Sequence, residues 1–321
     1  METTTLHAQC HCKRASYKFS IPSLSLPLSS SFCSCSSCRY ATGQLAASFA
    51  VIPLDPDTLD LDVSQLSSYA SSSHRTRHFC PTCGANVLDF DNSDNLWRVC
   101  TGMLDRTQNL LKRNQIFLGD TCDGGLSVWM NGMGQKFEGS PDVEPFDFKT
   151  DLHKDKELDK DLPSTAHLLG MCHCHGVQIR ILPPSEKQRY SAGLDFCTSC
   201  RTTTGFEVTS WTSVPLSQIQ VPEGQSLALS TRTLKTYASS PGVSRSFCGN
   251  CGLTAFVTKD NQSWIDIAVG MLRAEEGARA ERWLEWKEIG FAEEALDQEL
   301  VSQLRYGLNL WRGKRKWALI Y

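Results

Sequence analysis

Long apolar runs and a surplus of positive charge are both missing from this sequence. No segment approaches the ~20 consecutive apolar residues that a membrane-spanning helix needs. The opening METTTLHAQCHCKRASYKFS has no apolar core of the kind found in secretory signal peptides. The formal net charge is −3, and no basic stripe is interleaved with aromatic residues. We therefore expect a cytoplasmic protein with no membrane segment and no nucleic-acid partner.

Cysteine is abundant, with 15 residues in a chain of 321. Secreted disulfide frameworks are usually short and follow a signal peptide, and neither condition holds here. In a reducing compartment the thiols stay unpaired, so closely spaced cysteines indicate metal ligands. The chain is long enough for two domains, and a hydrophobic fraction of 40% is sufficient for buried cores.

The cysteine motifs occur twice along the chain. QCHCKRASYKF matches MCHCHGVQIRI, and CSSCRYATGQLAASFAVIP matches CTSCRTTTGFEVTSWTSVP, both at an offset of 162 residues. RHFCPTCGANV matches RSFCGNCGLTA at an offset of 168, as do the Gly-Met-Leu triplets at 102–104 and 270–272. Because order and spacing are kept throughout, the sequence indicates a tandem duplication.

Composition divides the chain into four parts. We predict a first domain at 5–137, a charged linker at 138–163, a second domain at 164–295 and a helical tail at 296–321. Within the linker, DLHKDKELDK could form a short solvated helix. The tail spaces its leucines as one face of a packed helix, at Leu296, Leu300, Leu304 and Leu308.

Within each repeat, short segments rich in β-branched and aromatic residues predict strands. They are ASYKFSI, LAASFAVI, NLWRVCTGML, VQIRIL, FEVTSWTSV and SWIDIAVGML. PSLSLPLSSS and SQLSSYASSSHR are predicted to be loops. The expected fold class is mainly β, with two tandem β domains held together by metal and a C-terminal helix.

Two sets of four cysteines fit structural zinc. The first set is Cys10, Cys12, Cys80 and Cys83, and the second is Cys172, Cys174, Cys248 and Cys251. Four thiolates complete the tetrahedral coordination of zinc and leave no open position. Gly84 and Gly252 follow the last cysteine of each set and allow the tight turn of a zinc knuckle. We predict two structural zinc ions.

A separate triplet in domain one, Cys33, Cys35 and Cys38, has no fourth cysteine at comparable spacing. Cys100 lies in an apolar strand and is expected in the core, while Cys122 lies in a turn as an exposed thiol or a weak candidate ligand. Three protein ligands and one open position are the layout of a catalytic zinc site. We therefore predict that water or substrate takes the fourth position.

The matching segment of domain two reads DFCTSC, so Asp195 stands where domain one has Cys33. With Cys197 and Cys200 it forms an Asp-Cys-Cys set, which is a poorer group of thiolates. Either this set binds a further zinc ion differently, or it has decayed and domain two is a scaffold. The second alternative is favoured.

Together these motifs resemble the glutathione-dependent formaldehyde-activating enzyme family, which also contains centromere protein V and has an Mss4-like fold. The shared pattern is C-x-C, then C-x-C-x-x-C-R-x-x-x-G, then F-C-x-x-C-G, and domain one carries all of it. NQIFLGD and MGQKFEG also look like the closing part of the family's domain. Domain two departs from the pattern at Asp195, and domain one departs at Lys13, where members commonly carry glycine.

The resemblance implies structural zinc on the four-cysteine sets and a catalytic zinc on Cys33, Cys35 and Cys38. It also implies carbon–sulfur lyase chemistry, in which formaldehyde and glutathione interconvert with S-(hydroxymethyl)glutathione. A small-molecule thiol or glutathione adduct is therefore the expected substrate or co-substrate.

Three further side chains are candidates for such a site, and two histidines inside the C-x-C pairs are not. His78, beside the zinc knuckle, is either a proton shuttle or an exposed loop histidine. Arg39 and Arg201 could each hold a glutathione carboxylate or donate hydrogen bonds to loop carbonyls. His11 and His173, inside the C-x-C pairs, are expected to point to solvent.

The favoured function is a zinc-dependent carbon–sulfur lyase that acts on a glutathione adduct at the triplet of domain one. Its substrate is S-(hydroxymethyl)glutathione or a larger thioether or aldehyde. The alternative is a non-catalytic zinc module that binds a protein partner and keeps that partner when the triplet loses its zinc. Nucleic-acid binding through zinc knuckles is disfavoured by the pI of about 6.2.

Overall fold

The computed structural model describes most of the chain as two similar β units and a C-terminal helix. The described residues are 2–56, 59, 61–141, 166–184, 188–220 and 233–318. Most of the predicted linker at 138–163, including DLHKDKELDK, lies outside these ranges. We refer to the halves before and after this segment as the first and the second repeat.

The first repeat forms a hairpin and a seven-stranded sheet. Its strands are β1 (Thr3–Gln9), β2 (Ser16–Pro22), β3 (Leu28–Cys33), β4 (Ala47–Val51), β5 (Ser67–Ala70), β6 (Arg75–Phe79), β7 (Asn86–Asp91), β8 (Leu96–Cys100) and β9 (Leu111–Ile116). β1 pairs with β2, and the sheet has the order β5-β6-β7-β8-β4-β3-β9. Neighbouring strands of the sheet run antiparallel, apart from β3 and β9, which are parallel.

The second repeat reproduces this sheet strand for strand. Its strands are β10 (Leu168–Met171), β11 (Gln178–Ile181), β12 (Tyr190–Asp195), β13 (Thr209–Pro215), β14 (Ile219–Gln220), β15 (Leu234–Ser240), β16 (Val243–Cys248), β17 (Thr254–Lys259), β18 (Trp264–Ala268) and β19 (Leu284–Gly290). The large sheet has the order β15-β16-β17-β18-β13-β12-β19, and β12 is parallel to β19. The equal strand order in both halves agrees with a duplicated, mainly β fold.

Two segments predicted to be loops are in part strands. PSLSLPLSSS runs into β3, which pairs with β4 on one side and with β9 on the other. Ser30 is buried in this interior strand, and its hydroxyl donates to the carbonyl of Phe49 at 2.8 Å. SQLSSYASSSHR contains β5 and the start of β6. Serine-rich composition favours loops locally, but pairing with neighbouring strands decides the structure here.

The predicted C-terminal helix is confirmed as α3 (Gln298–Ala318). Three of the four leucines predicted on its inner face are buried, namely Leu300, Leu304 and Leu308. Leu296 precedes the helix and is half-buried. The ring of Trp311 lies 5.6 Å from that of Trp129 in the first repeat, which in turn lies 4.8 Å from Trp286 in β19. The helix therefore joins the two halves. Among the described helices, α3 included, none is long and apolar enough to cross a membrane.

In the described part of each repeat, a short α-helix follows the strand that pairs in parallel with the last strand of the sheet. These are α1 (Ser36–Thr42) after β3 and α2 (Thr198–Thr204) after β12. They end at Gly43 and Gly205, whose φ angles of 82° and 93° are left-handed. Glycine adopts this conformation without the strain that a Cβ would cause.

The two repeats meet in an interface whose contacts occur in equivalent pairs. His11 N donates to Thr202 O at 3.0 Å and His173 N to Tyr40 O at 2.8 Å, while Gly102 N donates to Gly205 O at 2.9 Å and Gly270 N to Gly43 O at 2.8 Å. Each pair joins the same two positions of the duplicated sequence with the roles of the halves exchanged. Such reciprocity defines an isologous interface, as in a two-fold dimer. The single chain is thus folded as a pseudo-symmetric pair.

The helix-ending glycines are also points of close approach between the repeats. A Cβ added to Gly43 would lie 2.3 Å from the carbonyl oxygen of Thr254, and one added to Gly205 would lie 2.0 Å from that of Asn86. Both carbonyls belong to the opposite repeat. Any side chain at either position would force the halves apart.

We expect Gly43→Ala to lower the free energy of unfolding by about 3 kcal/mol, because a left-handed φ and an overlap with a carbonyl act together. Urea denaturation measures this loss. Gly139→Ala is the control, since a Cβ at that position would meet nothing within 4 Å. Equal midpoints for the two variants would contradict the close approach of the repeats.

Candidate metal centres

The four-cysteine set of the first repeat is assembled from two loops. Cys10 and Cys12 follow β1, and Cys80 and Cys83 follow β6. All four sulfur atoms lie within 4.8 Å of one another, with Cys12 Sγ 3.5 Å from the sulfur atoms of both Cys10 and Cys80. The sequence-predicted set is therefore brought together.

The second repeat builds the equivalent set in the same way. Cys172, Cys174, Cys248 and Cys251 place their sulfur atoms within 4.8 Å of one another. Cys174 Sγ lies 3.6 Å from that of Cys172 and 3.4 Å from that of Cys248.

The turns of these knuckles explain the glycines that the sequence places there. Gly84 and Gly252 have φ angles of 78° and 76°. Lys13 and His175, which correspond to each other in the two repeats, are also left-handed at 65° and 63°. Glycine would adopt this conformation without the strain that a Cβ causes, so Lys13 and His175 both hold an unfavourable backbone angle.

The donor chemistry of both sets fits zinc. Four sulfur atoms at the ~2.3 Å bond length of a tetrahedral zinc site lie ~3.8 Å apart, close to the separations in these sets. Without a cation the thiols compete for charge: the hydrogen bond with Cys80 raises the pKa of Cys10 to about 12, and the same contact lowers the pKa of Cys80. Four thiolates therefore need a bound cation, and Cys10, Cys12, Cys80 and Cys83 would hold one.

The triplet of the first repeat lies where β3 enters α1. Cys33 ends β3, Cys35 caps α1 by accepting a hydrogen bond from Cys38 N at 3.3 Å, and Cys38 lies in the helix. Cys33 Sγ is 3.5 Å from that of Cys35 and 3.3 Å from that of Cys38. Among the described residues, no fourth histidine, cysteine or carboxylate joins this group. Cys33 and Cys38 are 6% and 4% exposed, whereas Cys35 is partly open, so access is on the Cys35 side.

A buried arginine lies beside this triplet and offsets negative charge on its sulfur atoms. Arg77 donates to Cys38 Sγ at 3.2 Å and lies 3.6 Å from the carboxylate of Asp89, which also accepts from Arg75 at 3.0 Å. Hydrogen bonds with Cys33 and Cys35, together with the charge of Arg77, hold the pKa of Cys38 well below its ordinary value. The hydrogen bonds with Cys35 and Cys38 raise the pKa of Cys33 well above its ordinary value. One negative charge therefore rests on Cys38, and all three sulfurs can ionise together only around a bound cation.

The Asp-Cys-Cys set of the second repeat has the same layout. The carboxylate of Asp195 and the sulfur atoms of Cys197 and Cys200 lie within 4.8 Å of one another, and Arg245 donates to Cys200 Sγ at 3.4 Å. Asp195 also accepts from Cys197 N at 2.9 Å. The three side chains are thus together and could hold a cation. Whether the set binds zinc or has lost that role stays a prediction.

His78 is placed apart from the triplet. Its ring lies 5.1 Å from that of Trp97, and burial lowers its pKa. Adjacent side chains of a strand point to opposite faces, and it is Arg77 of β6 that reaches the triplet. The ring is buried, so the expected alternative of an exposed loop histidine is wrong.

Arg39 and Arg201 are both buried against loop carbonyls. Arg39, 4% exposed, donates to Ser34 O at 3.1 Å and Asp120 O at 3.0 Å. Arg201, 8% exposed, reaches the first repeat and donates to Gly102 O at 2.6 Å and Leu104 O at 3.2 Å. Both arginines thus make the hydrogen bonds to loop carbonyls that the sequence analysis gave as one alternative. A contact with a glutathione carboxylate, the other alternative, stays a prediction for both residues.

The expectation that His11 and His173 point to solvent is wrong. Each is half-buried in the interface, where its Nδ1 bonds the hydroxyl of a tyrosine of the other repeat: His11 with Tyr237 at 2.8 Å and His173 with Tyr69 at 2.6 Å. Two expectations for the remaining thiols are confirmed: Cys100 is buried in the core, and Cys122 is exposed.

Sequence reasoning gave no role to four residues that the structure places at the clusters: Arg77, Arg245, Tyr69 and Tyr237. A signal for them existed, because both pairs repeat at an offset of 168 residues. A charged or aromatic residue that recurs near a ligand motif in both repeats is therefore a candidate for a residue that contacts the ligands or their loops. The sequence pattern could not show that each tyrosine bonds a histidine of the opposite repeat.

Comparison with known proteins agrees with the duplication. A family model described as glutathione-dependent formaldehyde-activating enzyme matches residues 5–120 and again residues 167–286. No curated protein matches the chain. A crystal structure of a Rhodobacter sphaeroides protein, a structural genomics target, is similar over 37% of this chain and 99% of its own, at 20% identity and a TM-score of 0.28.

We expect Cys80→Ala to lose about one zinc ion per chain and about 4 kcal/mol or more of unfolding free energy, since loss of a structural metal is among the most destabilising changes. Elemental analysis and urea denaturation measure the two effects. Cys122→Ser, at an exposed thiol outside the clusters, is the control and should match the wild type. Unchanged zinc content in Cys80→Ala would exclude the four-cysteine set as a zinc site.

Proposed function

The chain belongs to the glutathione-dependent formaldehyde-activating enzyme family, and on that premise we propose that it is a zinc-dependent carbon–sulfur lyase acting on a glutathione adduct. The reaction takes place at Cys33, Cys35 and Cys38 of the first repeat. The adduct is S-(hydroxymethyl)glutathione or a larger thioether or aldehyde adduct.

The observation that supports this function is a cluster of three sulfur ligands with one accessible side. Two of the sulfurs are buried, Cys35 is partly open, and no fourth side-chain ligand joins them among the described residues. The four-cysteine sets differ because they use up all tetrahedral positions. An incomplete ligand set is the arrangement through which a metal site can take substrate.

The reaction needs a thiol sulfur to attack an electrophilic carbon. When glutathione adds to formaldehyde, a carbon–sulfur bond forms, the carbonyl π bond breaks, and the thiol proton ends on the new hydroxyl oxygen. Cleavage by the lyase is the reverse. A zinc ion at the triplet supplies Lewis-acid chemistry, which lowers the pKa of a bound thiol and polarises a carbonyl.

The residues of the chain hold the triplet in place for this reaction. Arg77 fixes Cys38 and offsets negative charge on the sulfur ligands. The carboxylate of Asp120 accepts from Ser36 N at 3.0 Å and so fixes the turn between Cys35 and Cys38. Partners of this kind orient metal ligands and keep the open position free.

Several finer assignments belong to the same proposal. Zinc fills the two four-cysteine sets and the triplet, and glutathione is the substrate or co-substrate. His78 is a candidate proton shuttle, although its ring packs against Trp97. None of the 15 cysteines is paired in a disulfide, which fits a cytoplasmic, reducing location.

The test is exchange between glutathione, ¹³C-formaldehyde and S-(hydroxymethyl)glutathione, followed by NMR. We expect Cys35→Ala to lower the catalysed rate ~100-fold or more, because the metal's contribution to the transition state is lost. The matched variant Cys197→Ala, at the same position of the second repeat, should keep the wild-type rate.

Full activity in a folded Cys35→Ala protein would overturn the proposal. Zinc-loaded wild-type protein without turnover on formaldehyde or larger aldehydes would also overturn it. That second result would favour the non-catalytic interaction module instead.

A further inference from the structure

The zinc knuckle of the second repeat reaches the triplet of the first. His173 lies between Cys172 and Cys174, and its ring enters the interface. Its Nε2 is 3.2 Å from the hydroxyl of Ser37, which lies between Cys35 and Cys38. A ligand loop of one cluster therefore contacts the ligand turn of the other.

The hydrogen bonds around this ring can be assigned one direction. The hydroxyl of Ser37 donates to Ser71 O at 3.4 Å. Because that uses its proton, His173 Nε2–H donates to the Ser37 oxygen, and Nδ1 accepts from the hydroxyl of Tyr69 at 2.6 Å. Both ring nitrogens then have a partner, and the turn between Cys35 and Cys38 is contacted from the opposite repeat.

His11, the counterpart of His173, does not make the corresponding contact with a serine of the opposite ligand turn. His11 bonds Tyr237 as His173 bonds Tyr69, with the same ring separation of 5.6 Å and the same angle of 78°. However, Ser199, the counterpart of Ser37, accepts from the guanidinium of Arg245 at 3.1 Å. At this serine the second repeat therefore uses its own arginine, whereas the first repeat uses the histidine of the neighbouring knuckle.

A difference in sequence beside the two arginines accompanies this asymmetry. In the first repeat Asp89 binds the guanidinium of Arg77, the counterpart of Arg245. In the second repeat Val257 stands at the position of Asp89, and Arg245 donates to Ser199. In the first repeat Ser37 instead accepts from His173.

We infer that His173 is a positioning residue for the Cys33–Cys35–Cys38 cluster, and that the zinc knuckle of the second repeat thereby controls how firmly this cluster holds its metal. The inference rests on metal binding at the triplet, as in the proposed function, but not on the substrate. It gives the second repeat a role at the first site whether or not Asp195 binds metal.

The experiment measures zinc release from the full-length, zinc-loaded protein to the chelating dye 4-(2-pyridylazo)resorcinol. The phase that belongs to the triplet is the one missing in Cys35→Ala. Loss of a partner that orients metal ligands weakens binding ~10–100-fold, and Ser37 is not itself a ligand, so we expect ~10-fold faster release of this zinc in His173→Ala. The slower zinc ions should be unaffected.

Matched variants separate positioning from general loosening of the interface. His11→Ala removes the mirror-related ring and should leave the triplet phase as in the wild type. Ser37→Ala removes the same contact from the other side and should reproduce the effect of His173→Ala, whereas Ser199→Ala should not. His173→Gln, which can still donate to Ser37, should restore part of the retention.

Three results would overturn the inference. They are wild-type release in both His173→Ala and Ser37→Ala, equal acceleration by His11→Ala and His173→Ala, and a triplet phase that is absent from the wild type. Faster release in a protein without lyase activity would support the inference and reject the proposed function. Unchanged release in an active enzyme would reject the inference alone.

Discussion

Thiols packed about as closely as zinc-bound sulfurs are the constraint on which this structure depends. Sulfur atoms 3.5 Å apart cannot all be ionised unless a cation offsets their charge, so each four-cysteine set joins its two loops only as a metal site. The same loops also form part of the interface between the repeats. The backbone N–H groups of His11 and His173, at the tips of the C-x-C pairs, dock on the short helix of the opposite repeat. Metal binding, the fold of each repeat and the interface between the repeats are therefore coupled.

Duplication gave the chain two nearly equivalent halves, and a few substitutions make them unequal. Asp195 in place of a third cysteine changes one ligand of the second cluster. Val257 takes the place of Asp89 beside the buried arginine. The arginine of the second repeat contacts Ser199, whereas Ser37 of the first repeat contacts the histidine of the other half. In a pair of separate identical subunits both sites would change together. A fused pair can keep one site for chemistry while the other half supports it.

The sequence was sufficient for the features that depend on local spacing. The repeat, the two four-cysteine sets, the open triplet and helix α3 all follow from motif order or helical periodicity. Strands β3 and β5 did not follow, because serine-rich segments become strands only through partners distant in the chain. His11 and His173 were placed in solvent for a related reason. A position between two ligands looks exposed within one repeat, and its burial arises only when the second repeat is docked against it.

The central claim is that Cys33, Cys35 and Cys38 form a metal site with a free position, distinct from the two closed sets. The most direct measurement is a crystal structure with an anomalous difference map at the zinc absorption edge, with and without glutathione. The account predicts three strong peaks, with the one at the triplet ~2.3 Å from its three sulfurs and with glutathione sulfur as its fourth neighbour. Peaks only at the two four-cysteine sets, or a fourth protein ligand at the triplet, would contradict it.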